Sequence, residues 1–203
     1  MSTTALFVEL LVVGLEALVW IFLFISAFFG IDWLLGLINI FEKAGLFLTL
    51  VLVGFAYLIG IIFDEFFDSL TEWWSNRIKS SIHEKGLPKM WDMQAYIFGH
   101  SKEATEQLGY IRTRVRIMRS SIFNFGLISI GAILFVNNQI SPANYSIGRI
   151  NWIVGIIGLS LVCIASYVYW RLEKAYWFRV MGIYKPLVSL PKESIKPKQK
   201  GSS

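Results

Sequence analysis

Four stretches of this chain stay apolar over lengths that approach or reach a membrane crossing, and one of them carries two acids. Leu6 to Phe29 is apolar apart from Glu9 and Glu16. Ala44 to Phe63 and Ile150 to Trp170 hold no charge, and Ser121 to Val136 is a shorter uncharged run that must borrow from its flanks. A bilayer-spanning helix needs about 20 predominantly apolar residues, so the pattern predicts four transmembrane helices.

Past the second run the periodicity becomes amphipathic. Asp64, Asp68 and Glu72 share one helical face, while Phe63, Phe66, Phe67, Leu70, Trp73, Trp74 and Ile78 recur at helical spacing on another. The second helix is therefore expected to continue beyond its span and to stop near "HEKGLP". There Gly86 suits a left-handed cap and Pro88 blocks continuation. A short helix or turn follows through "KMWDMQAYIF", interrupted at Gly99. Ser101 is then a fair N-cap, with Glu103 in the first turn. Leu108, Ile111, Val115, Met118 and Ile122 form the next apolar stripe, predicting a helix of roughly 35 residues that runs unbroken into the third span.

Composition agrees with a bilayer protein. Of 203 residues, 55% are hydrophobic and only 16% charged, with a mean hydropathy of +0.57. Soluble domains carry about 25% charged residues. The first apolar run lacks a basic leader and is too long for a cleaved signal core. Basic residues set the orientation. The connections between spans one and two and between spans three and four hold one each, Lys43 and Arg149, whereas Asp64 to Ser120 holds nine and the segment from Arg171 onward holds eight. By the positive-inside rule both basic segments and both termini lie in the cytoplasm. The expected fold is an all-α integral membrane protein with four transmembrane helices, two of them extended into a cytoplasmic helical hairpin. Its parts are a transmembrane hairpin (1–63), the cytoplasmic hairpin (64–120), a second transmembrane hairpin (121–170), and a cytoplasmic helix with a basic tail (171–203). The tail "KPLVSLPKESIKPKQK" has three prolines and five lysines against one glutamate, which reads as disordered.

Catalytic constellations are not found. His83 and His100 are the only histidines and stand far apart, Cys163 is the single cysteine, and there is no phosphate loop or nucleophile elbow. A non-enzyme without cofactor or metal is the expectation. Chemistry concentrates in two places. Glu9 and Glu16, seven residues apart, line up on one face of the first helix, and Glu16 lies near the middle of its span. A charge there costs roughly 2.5–3.5 kcal/mol. No Lys, Arg or His lies inside a span to offset it; the polar candidates are Asn124, Ser129, Ser160, Cys163, Ser166 and Tyr167. Either these bond a neutral glutamate across a helix interface, or Glu9 and Glu16 line a cation path in a symmetric homo-oligomer, a tetramer being favoured. Small-residue spacing at Ser26/Gly30 and Ala56/Gly60 would allow the close contacts that assembly needs.

The second place is "RTRVRIMR", with Arg112, Arg114, Arg116 and Arg119 in eight positions and no carboxylate. It marks the cytoplasmic start of the third helix. Arg112, Arg116 and Arg119 share a face and sit level with Asp64, Asp68 and Glu72, so internal salt bridges are one reading. Docking of an anion on the guanidinium groups, as ligand or gating site, is the other.

In plan, meaning the span count, the large basic inner segments and the "RTRVRIMRSSIFN" junction, the chain resembles the small four-span membrane proteins of bacterial antiphage defence systems. One kind is a channel effector controlled by a nucleotide signal or partner, as in Hailong, and another a membrane sensor that holds a soluble effector, as in Kiwa. The resemblance implies a multi-pass protein of the bacterial inner membrane. It would be an ion-conducting or membrane-depolarising effector under an anionic cytoplasmic ligand, or a non-conducting sensor or scaffold that recruits a soluble protein.

Overall fold

The computed structural model describes residues 3–140 and 147–189. Five helices follow one another: α1 (Thr3–Phe29), α2 (Asp32–Ile82), α3 (Met90–His100), α4 (Lys102–Gln139) and α5 (Ile147–Ser189). Four contain stretches long and apolar enough to cross a membrane, Leu6–Phe29, Ala44–Ile82, Lys102–Gln139 and Ile147–Ser189. This is an all-helical, multi-pass architecture. Residues 190–203, most of the expected basic tail, lie outside the described residues; its first five, including Pro186, continue α5.

Residue pairs fix the helix directions. Along α1, Glu9 meets Arg116 of α4, Glu16 meets Asn124, and the Ala27 carbonyl accepts from Asn138 and Gln139 at 3.1 Å each, so α1 and α4 run parallel. α5 returns antiparallel to α4, with Asn151 bonded to Asn137 at 2.6 Å and Gly158 seated on Ser129. α2 returns antiparallel to α1. They cross so closely that a Cβ on Gly14 would lie 1.6 Å from the Ala56 carbonyl oxygen, and one on Gly60 1.9 Å from that of Leu10. Only glycine fits at such a crossing. The Ala56/Gly60 spacing, read above as a contact for assembly, is thus spent inside the chain. Gly30, at φ +82°, ends α1 by returning its N–H to the Ser26 carbonyl.

Away from the spans the helix ends form a core of their own. Ile78 of α2, Met93 and Ile97 of α3, Leu108 of α4, and Trp177 and Val180 of α5 pack together. The expected two-armed hairpin is therefore completed by α3 and by the last turns of α5. α2 ends at Ile82, and Gly86, at φ +95°, serves a tight turn in which Leu87 bonds back to Glu84. Gly99 does not interrupt α3, which continues to His100. Ser101 caps α4, its Oγ accepting from the Ala104 N–H at 3.3 Å. The aromatic stripe of α2 divides: Phe67, Trp74 and Ile78 pack inward, whereas Phe66, Leu70 and Trp73 stay exposed. The helix from Asp32 was not expected from the polarity pattern; it joins the second span at Ala44, where the backbone leaves helical geometry.

Candidate functional site

Where α2, α4 and α5 leave the spans they enclose a cleft of about 340 Å³, closed from the side by Trp91 and Gln94 of α3. Its roof is ionic. Arg116 reaches two helices at once: its Nε lies 2.9 Å from Glu9 Oε1 on α1, and its Nη2 pairs with Asp64 on α2. Arg119 Nη2 donates to Asp64 Oδ1 at 2.9 Å, and Nη1 pairs with Asp68. The Arg116–Glu9 contact is a charge pair rather than an aligned hydrogen bond, since neither Glu9 oxygen finds a donor in line.

Helical spacing explains why these residues meet. Arg116 and Arg119 lie on one face of α4, Asp64 and Asp68 on one face of α2, and long arginine stems carry the charge to the facing helix. Exposure grades across the group. The Glu9 side chain is 1% exposed and Asp64 8%, while Asp68 is 65% exposed. Loss of one partner from a buried pair leaves an uncompensated charge, at about 3–5 kcal/mol. Glu72 and Arg112 line the cleft but join no ion pair among the described residues. Arg114 turns away and lies over the Tyr110 ring at 4.3 Å.

One helical turn or two deeper, Glu16 is held differently. Ser121 Oγ donates to it at 2.9 Å, and Asn124 Nδ2 donates to its other oxygen at 3.0 Å. Asn124 is itself fixed by Trp20, whose indole N–H donates to Asn124 Oδ1 at 3.1 Å. Both glutamates of α1 therefore face α4 of the same chain, Glu9 toward a cation and Glu16 toward neutral donors. Asn124 was among the expected polar partners; Ser121 was not. The Arg116–Glu9 pair was missed because Arg116 lies outside the apolar window. The parallel register of α1 and α4 brings Glu9 level with Arg116.

The floor of the cleft was not anticipated. Glu173 of α5, 6% exposed, accepts from Ser75 Oγ at 2.5 Å and from the Trp177 indole at 2.9 Å. Lys79 rests its ammonium 4.2 Å above the Trp91 ring and 5.1 Å from that of Trp177. Gln94 Oε1 and the Tyr176 hydroxyl are buried in the wall without a hydrogen-bond partner among the described residues. An unpaired buried polar atom costs about 1–3 kcal/mol, so the floor holds polar capacity that the fold leaves unused. The sequence signal was the i, i+4 spacing of Glu173 and Trp177 beside "RLEKAYWFR", too ordinary to single out. No group of three His, Cys, Asp or Glu placed to hold a metal is found among the described residues. No family model, no curated protein and no solved structure matches this chain.

Proposed function

We propose that this protein is a membrane sensor that reads an anionic cytoplasmic ligand or partner in the cleft and passes the signal to its spans. One observation carries the reading: Arg116 holds Glu9 of α1 and Asp64 of α2 in the same grip, beside a cleft that also presents Arg112. A phosphate-bearing ligand suits the planar guanidinium fork. Drawn toward such a ligand, Arg116 and Arg119 release Asp64 and Glu9, and Glu9, at 1% exposure, then loses the cation that balances it. α1 must shift to relieve that charge. The basic end of the molecule, read as cytoplasmic from its lysines and arginines, would offer the surface on which a soluble effector is recruited. The plan shared with antiphage membrane proteins fits a signal-controlled role of this kind in a bacterial inner membrane.

The test uses purified protein in nanodiscs and a panel of nucleotide mono- and triphosphates and cyclic nucleotides. A ligand at a hundred times its Kd stabilises by about 2.7 kcal/mol, which reads as a higher melting temperature. Arg112→Gln removes a guanidinium that holds no ion pair among the described residues, so it should abolish the shift and leave the unliganded melting temperature in place. Equal shifts in wild type and variant would remove the cleft from the reading.

An ion-conducting homo-oligomer, modally a tetramer, is the second reading. It is favoured by Glu16, which is half-buried while Glu9 is enclosed. Planar-bilayer recording with Glu16→Gln separates the two, because currents that lose cation selectivity in the variant belong to a carboxylate-lined path.

A further inference from the structure

Outside the cleft, three cations, Arg77 and Arg114 exposed and Lys174 half-buried, lie over aromatic rings at one height. On α2, Arg77 lies 5.1 Å from the Trp73 ring centroid. On α4, Arg114 lies 4.3 Å over Tyr110. On α5, the Lys174 ammonium stands 5.1 Å from Trp170 and 5.8 Å from Phe178. The register makes them level. Ser129 faces Gly158 and Asn137 faces Asn151 across the antiparallel pair, which carries Arg114 to the height of Lys174. α2 and α5 run parallel, with Ser75 on Glu173 and Lys79 on Trp177, which brings Arg77 to the same height. None of the three takes part in a salt bridge among the described residues.

The height has a meaning in a bilayer. Trp152 and Trp170 are both exposed on α5. They stand 18 residues apart, about 27 Å along the helix axis and close to the ~30 Å hydrocarbon thickness. Tryptophans at that separation mark the two interfaces. Lys174 is one turn beyond Trp170, at the depth of lipid headgroups. On α2 the outward face stays apolar through Phe66, Leu70 and Trp73, past the end of the uncharged run, and Arg77 follows one turn later. Each cation thus holds its charged tip beside an aromatic ring at the height of the headgroup layer.

We infer that Arg77, Arg114 and Lys174 form a collar that binds the phosphates of anionic phospholipids in the leaflet facing the basic end of the protein. The carboxylates at neighbouring heights do not cancel it: Asp68 is held by Arg119, Glu173 is buried against Trp177, and Glu72 lines the cleft. The occupant is a membrane lipid, because the aromatic partners would place the bound phosphate against the apolar boundary.

Native mass spectrometry of protein released from nanodiscs of equal phosphatidylglycerol and phosphatidylcholine tests the collar. Wild type should retain phosphatidylglycerol in excess. Each of Arg77→Gln, Arg114→Gln and Lys174→Gln should lower that retention about fivefold, and the triple variant should show no preference. All three side chains are outside ion pairs among the described residues, so melting in zwitterionic detergent should not change. Two results overturn the collar: unchanged enrichment in the triple variant, or equal loss in Lys85→Gln/Lys89→Gln/Lys102→Gln, which removes the same charge elsewhere. Displacement of the lipid by millimolar inorganic phosphate would likewise overturn it, since the site would then take any free anion.

Discussion

The roof and the floor of the cleft share α2 and α4, a few turns apart, but the roof adds α1 and the floor adds α3 and α5, and they treat their arginines differently. In the roof, Arg116 and Arg119 are matched by Glu9, Asp64 and Asp68. In the floor, Gln94 Oε1 and the Tyr176 hydroxyl are buried without a hydrogen-bond partner, and Arg112 joins no ion pair, among the described residues. Glu9 and Asp64 in the roof are nearly enclosed, so their charges must be balanced within the protein. The floor leaves Arg112 and Glu72 outside ion pairs among the described residues. A closed roof holds the helices together, whereas an unfinished floor is where a ligand gains most.

The largest effect expected from breaking this contrast is in the roof. Arg116→Ala strands Glu9, which is 1% exposed and has no other ion-pair partner among the described residues, and should cost about 3–5 kcal/mol in a denaturation titration in detergent. A loss under 1 kcal/mol would mean the roof is not a closed ionic unit. Next comes Gly60→Ala, which presses a methyl group into the Leu10 carbonyl. An overpacked contact of this kind costs about 1–3 kcal/mol. Because it acts by sterics, its cost should not change between low and high salt. Asn124→Ala, which takes one donor from Glu16 and leaves Trp20 Nε1 without its acceptor, should cost about 1–3 kcal/mol. The smallest effect belongs to the floor. Arg112→Gln should stay within about 0.5 kcal/mol of wild type while removing ligand response. If it destabilised as much as Arg116→Ala, the distinction between roof and floor would disappear.

Much of the helical layout was legible in the residues. The Leu108–Ile122 stripe is an inward face of α4, Ser101 is its cap, and Gly86 takes positive φ, because each depends on spacing or on one local backbone preference. Pairings between helices were less so. Asp64 and Asp68 were expected beside the arginines, and the structure pairs them with Arg116 and Arg119, yet nothing in the spacing separates those two from Arg112 or excludes Glu72. The division of Phe66, Leu70 and Trp73 from Phe67, Trp74 and Ile78 depends on which neighbour covers which face.

What the sequence determined by itself is therefore everything governed by local periodicity and by transfer from water to lipid: four apolar spans, helices that outrun them, and the polar segments between. Those terms depend on each residue and its near neighbours along the chain. Only the tertiary structure decided that Glu9 belongs to Arg116, that Gly14 and Gly60 let two backbones touch, and that Glu173, Gln94 and Tyr176 share a cleft. Those outcomes turn on helix direction, register and side-chain reach between segments far apart in the chain, and a difference of one turn, about 5.4 Å, is enough to exchange one partner for another.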